Sequence, residues 1–172
     1  MTAGHRTPRR GWRVVAATVV VTLFAAASAV GAARDPGLPN PALTPGAVNP
    51  AVTPATIRTT ICVSGYSSSV RPPESYTEAL KYRQLDGGYN LRGDTRASDY
   101  EEDHLIPLEV GGSPTSVKNL WPEPRDTTWN ASRKDALENT MHRLVCDGAV
   151  SLAAARRVFT TNWIDGYRRY VG

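Results

Sequence analysis

An α+β fold is what this sequence predicts, and three observations predict it. Residues 100–108 and Leu120-Trp121 flank Gly111-Gly112 and can pair as a hairpin with an elaborated loop. Downstream, Leu137, Met141, Leu144 and Val145, then Leu152, Ala155, Val158, Phe159, Trp163 and Tyr167, recur at helical spacing. Two cysteines, Cys62 and Cys146, enclose the hairpin and the first of these helices.

The chain of 172 residues has room for one domain with appendages. Residues 1–33 read as a secretory signal peptide. Arg6, Arg9, Arg10 and Arg13 form a positive start, Val14 to Ala33 is uncharged and mostly apolar, and small residues end it. Cleavage is expected near Ala32 or Ala33; an uncleaved anchor is the rival, since about 20 apolar residues span a bilayer. Four of the 20 Lys and Arg lie in this segment and none of the 16 Asp and Glu does, so the remainder is neutral, 16 against 16. The basic balance of the whole chain therefore does not argue for a polyanion partner; local patches would have to. A cysteine pair in an oxidising compartment reads as a Cys62–Cys146 disulfide, with two buried thiols as the alternative. The loop it would close, about 84 residues, is worth about 4 kcal/mol in the chain-entropy model.

Taken in order, residues 34–54 carry proline, glycine and asparagine with few large apolar groups, and read as a Pro-rich linker. Residues 55–172 form the expected domain. Ala55 to Val70 suggests a short helix or turn, then a strand bearing Cys62. Ser75-Tyr-Thr-Glu78 is a capping box that should start a helix running to about Leu85, which Asp86-Gly87-Gly88 stops. After the hairpin, Pro122 and Pro124 precede a helix that begins close to Asn130 or Ser132 and stops at Asp147-Gly148. Ser151 caps a last helix, on which Arg156, Arg157, Arg168 and Arg169 are solvated or contact a polyanion, an ordinary charged face being the preferred reading.

The chemistry concentrates between Asp99 and Glu138. Phosphodiester hydrolysis needs an activated water, an electrophilic ion on the phosphate oxygens and relief of charge on the leaving oxygen. His104 titrates near neutrality and suits the base. Asp103 is a hard oxygen ligand for magnesium, with manganese or zinc as alternatives. Strand neighbours point to opposite faces, so a bulge or strand end must turn one of the two. Asn119, on the returning strand, can hold the loop that carries His104. Asn130, at a helix mouth, offers a second metal oxygen, and the scissile phosphate could rest there. Arg133 and Lys134 follow in the first turn, where positive charge wants an anion. If Asn130 is only a cap, Asp135, Glu138 or His142 must supply the ligand. His142 reads as a surface or packing residue.

With these residues in view, Asp103-His104-x-x-Pro107, Gly111-Gly112, Asn119-Leu120-x-Pro122 and Asn130-x-x-x-Lys134 resemble the HNH endonuclease family. The likeness is closest to small secreted HNH-like proteins of actinobacteria. The resemblance implies a ββα-metal core with flanking helices. It implies that His104 is the general base, Asn119 the central structural asparagine, Asp103 and Asn130 the ligands of one divalent ion, and Lys134 or Arg133 the phosphate contact. Its zinc-binding Cys-x-x-Cys pairs are absent, and the step from Asn119 to Asn130 is slightly long.

The expected activity is metal-dependent cleavage of DNA, with RNA as a further substrate, at low sequence specificity; no base-reading element is visible. The expected setting is outside the cell or in its envelope, without stable membrane association after cleavage. The rival is an inactive secreted or envelope-binding protein that keeps the fold as a scaffold. Glu101, Glu102, Glu109 and Glu123, which would repel a phosphate backbone, favour that rival, and Tyr100, Trp121, Trp129 and Trp163 could line its surface.

Overall fold

Five residues on either side of the Gly111-Gly112 turn pair as an antiparallel hairpin, β1 (Tyr100–His104) with β2 (Leu120–Pro124). The structure is a computed structural model that describes residues 1–2 and 35–172, so the expected signal peptide lies almost wholly outside the described residues. The register runs unbroken from Tyr100 opposite Pro124 to His104 opposite Leu120. β2 is longer than expected because it takes in Pro122 and Pro124. Proline cannot donate to a ladder, but an edge strand leaves its outer groups unpaired anyway.

Among the described residues four α-helices accompany the hairpin: α1 (Tyr66–Val70), α2 (Glu74–Gln84), α3 (Ala131–Cys146) and α4 (Leu152–Tyr170). The fold is α+β. The strand expected around Cys62 is absent; the segment is a 3-10 turn, Ile57–Thr59, followed by further turns into α1. Threonine hydroxyls divert the chain here, since Thr60 Oγ1 donates to the Thr56 carbonyl at 2.7 Å and competes with extended pairing. α2 starts one residue before the expected cap: Pro73, at φ −57°, leads into it and no side chain caps it. α3 and α4 begin where predicted, with Asn130 and Ser151 accepting the backbone N–H of Arg133 and Ala154. Gly148 closes α3 at φ +76°.

α4 carries a break that its apolar pattern conceals. Asn162 is extended, at φ −167° and ψ 98°, and its Oδ1 accepts from the N–H of Ile164 and Asp165 at 3.0 and 3.3 Å. It acts as an internal cap, which restarts the helix so that Trp163 and Ile164 enter the core.

From residue 35 onward the chain is one compact unit, so residues 35–54 are more than a linker. Val52 sits in the core, Gly37 O accepts from Trp163 Nε1 at 2.7 Å, and Gly46 and Asn49 donate to Lys118 O and Gly111 O. The segment builds no element, yet its carbonyls and amides find partners on the domain, as buried backbone must. Leu137, Met141, Phe159 and Trp163 fill the core between α3 and α4, each contributing about 1.5–3 kcal/mol by burial. Cys62 and Cys146 form the disulfide. His142 Nε2 donates to Ile61 O at 2.7 Å, packing that junction. Arg156, expected on a solvated face, instead donates to Val110 O, Val52 O and Gly111 O. No helix among the described residues is long and apolar enough to cross a membrane.

Candidate active site

His104 ends β1, and its ring Nε2 lies 2.9 Å from the carbonyl of Pro114. A carbonyl can only accept, so Nε2 carries a proton and Nδ1 of the neutral ring is the lone-pair nitrogen. The side chain is only 2 % exposed. Burial holds its pKa below the ordinary imidazole value, against the pull of Asp103, so the ring is neutral at physiological pH.

The loop that supplies Pro114 is fixed by one amide. Asn119 is fully buried; its Oδ1 accepts from Ile106 N at 2.9 Å and Ala47 N at 3.3 Å, and its Nδ2 donates to Ile106 O and Ser113 O at 3.0 Å each. All four of its hydrogen-bonding positions are used. Gly112 permits the closeness, since a Cβ there would lie 1.7 Å from Ile106 O. The strand end turns His104 toward this loop, and no bulge is present.

Asp103 points toward α3. Lys134, 0 % exposed, donates to Asp103 Oδ2, to Glu138 Oε1 and, at 2.8 Å, to the carbonyl of His104. Glu123 Oε2 lies 4.0 Å from the same ammonium. Burial alone would raise the Asp103 pKa, but the Lys134 ammonium beside it, above all, holds it well below the usual carboxylate range. Burial pushes Glu123 well up and Glu138 up as well, the latter despite Lys134. Neither Glu123 oxygen, both buried, has a hydrogen-bond partner in the structure. On the other face of β1, burial and then Asp103 push Glu102 up to about 8.

The remaining residues of the expected site take other roles in the structure. Lys134 faces acids inside the domain rather than a phosphate outside it. Burying an ammonium requires such partners, and an i, i+4 step brings Glu138 to it. Asn130 is the cap of α3, with its Oδ1 3.2 Å from Arg133 N. Arg133 is exposed and its guanidinium lies 4.9 Å from the Trp129 ring centroid. Two pairings were not read from the sequence, Pro114 with His104 and Glu138, named there only as an alternative ligand, with Lys134. The Pro114 carbonyl carries no side-chain signal at all, whereas Glu138 was marked by its i, i+4 relation to Lys134.

Among the described residues, no group of three or more His, Cys, Asp and Glu side chains could hold a metal ion by itself. Asp103 nonetheless fits a hard cation that keeps most of its waters: it is an ionised oxygen donor whose side chain is 13 % exposed. The Asn130 amide oxygen, bonded once, retains a second lone pair. These are the donors that a magnesium-class ion takes from a protein when substrate supplies the rest.

Comparison with family models, with curated proteins and with solved structures found no match to this chain.

Proposed function

We propose that this protein is a secreted, HNH-type, metal-dependent endonuclease with a ββα-metal core. It would cleave DNA, and RNA as a further substrate, with little sequence preference. One observation carries the reading: a buried, neutral histidine whose Nε2–H is tied to the Pro114 carbonyl, leaving Nδ1 to act as a base. His142 also donates its Nε2–H to a carbonyl, but only His104 of the two stands next to an ionised, buried aspartate.

His104 Nδ1 takes the proton of the attacking water, and the Pro114 carbonyl keeps accepting from Nε2–H and steadies the imidazolium that results. Asn119 holds the loop so that this carbonyl stays in place. Lys134 bonds both the Asp103 carboxylate and the His104 carbonyl, which ties the end of β1 to α3. A divalent ion held by Asp103 and Asn130 would supply positive charge at the phosphate oxygens. The disulfide supports an oxidising setting for the folded chain.

A second reading, a catalytically inactive secreted or envelope-binding protein, is favoured by Lys134 already answering the Asp103 charge. Plasmid nicking with magnesium, manganese or zinc, run beside His104→Ala, separates the two. The nuclease reading expects the variant to lose about 10²–10⁴-fold in rate. Equal nicking by both proteins, or none with any metal, would overturn it.

A further inference from the structure

We infer that the surface built by Trp129, Arg133, Tyr167 and Arg168 is a docking site for a single nucleic-acid strand. The inference rests on the nuclease reading for the class of partner and adds the place and mode of its binding.

Two guanidinium groups share one indole. Arg133 and Arg168 each lie 4.9 Å from the Trp129 centroid, and Arg133 is also 6.0 Å from the Tyr167 ring. The platform is fixed, because Trp129 meets Trp163 and Tyr167 edge-on at 6.2 and 5.6 Å, and a Cβ at Gly37 would lie 2.3 Å from its carbonyl. Both arginines are exposed. Arg168 has a surface pair in Asp165 at 2.8 Å, whereas no carboxylate among the described residues pairs with Arg133.

Position makes Arg133 the more informative of the two. Arg168 stands in the last turn of α4, where a cation complements the helix dipole. Arg133 stands in the first turn of α3, where a cation opposes it, and that turn contains no acid. Its neighbour Lys134 is neutralised inside, so Arg133 carries the outward charge of this helix end. Two like charges held on one rigid ring, one against a positive helix end, call for an anion with more than one negative centre. A phosphodiester strand matches: guanidinium takes phosphate bidentately, and bases stack on guanidinium planes and on tyrosine. The patch adjoins Asn130, the cap of α3.

The test is fluorescence anisotropy with a labelled oligo-dT in EDTA, where cleavage plays no part, across a salt series. Arg133→Ala with Arg168→Ala should weaken binding at least tenfold at low salt and flatten the log–log salt slope by about 1.4, two contacts' worth. Arg133→Lys with Arg168→Lys should keep the slope but bind more weakly, having lost the planar fork. Arg58→Ala, exposed elsewhere, should bind as wild type. No oligo-dT binding by wild type, or unchanged affinity and slope in the Ala pair, would overturn the inference. So would arginine-dependent binding of phosphatidylglycerol vesicles with unchanged oligo-dT binding. Arginine-dependent oligo-dT binding without nicking under any metal would refute catalysis alone and sustain the surface.

Discussion

Lys134→Met tests whether the acids around β1 are held by a single buried ammonium. Methionine preserves length and apolar stem but removes the charge. Asp103, Glu138 and Glu123 then remain buried with nothing positive among them, since Lys134 is 0 % exposed and is bonded or close to all three. Removing one partner of a buried ion pair costs about 3–5 kcal/mol. In a folded unit of this size that lowers the melting temperature by roughly 10–20 °C. The pH dependence has a definite sign. In the native protein the Asp103 pKa is depressed, so its stabilisation is present above the unfolded value of about 4 and is lost as pH falls through the folded value. Without Lys134, the largest opposition to burial is gone and the Asp103 pKa rises. The carboxylate then destabilises at neutral pH, and stability returns as it takes up a proton. The deficit of the variant should therefore be largest near pH 7.5 and shrink toward pH 5. Thermal melts by circular dichroism at both pH values measure this, with Arg133→Met as an exposed control expected within about 0.5 kcal/mol of wild type. A Lys134→Met protein as stable as wild type at pH 7.5, or a deficit that grows on acidification, would refute the reasoning.

Three further outcomes are expected. The acid limb of the nicking rate should have its midpoint below the ordinary histidine pKa of about 6.5, because burial disfavours the imidazolium of His104; a limb at or above that value would contradict it. Gly112→Ala should lose more than about 3 kcal/mol in urea melts, since its Cβ meets the Ile106 carbonyl, whereas Gly87→Ala, with open space around it, should fold normally. Cys62→Ser should lose about 4 kcal/mol, with dithiothreitol moving the wild-type melt in the same direction, because the bridge closes a span of 84 residues.

Much of the fold was legible in local chemistry. Asn130 and Ser151 are residues whose side chains favour capping over the helix interior, so the starts of α3 and α4 could be read directly. The Gly111-Gly112 turn and the cysteine pair were legible for the same kind of reason. Where prediction departed from structure, competition among neighbours decided. Thr56 and Thr60 spend their hydroxyls on turns instead of a strand, and Asn162 caps inside what reads as one continuous helix.

By itself the sequence determined the α+β class, the starts of the last two helices and the concentration of ionisable residues around Asp103 and His104. These depend on residue type and spacing along the chain. Only the tertiary structure decided what those residues face. It turned Lys134 inward to three carboxylates while Arg133, one residue earlier, faces out over Trp129. It also brought a backbone carbonyl, from Pro114, to the His104 ring. Adjacent helix positions differ by about 100°, so a one-residue step separates a buried cation from an exposed one. Which is which depends on where the packed hairpin lies, and that is fixed by contacts between residues some 30 positions apart.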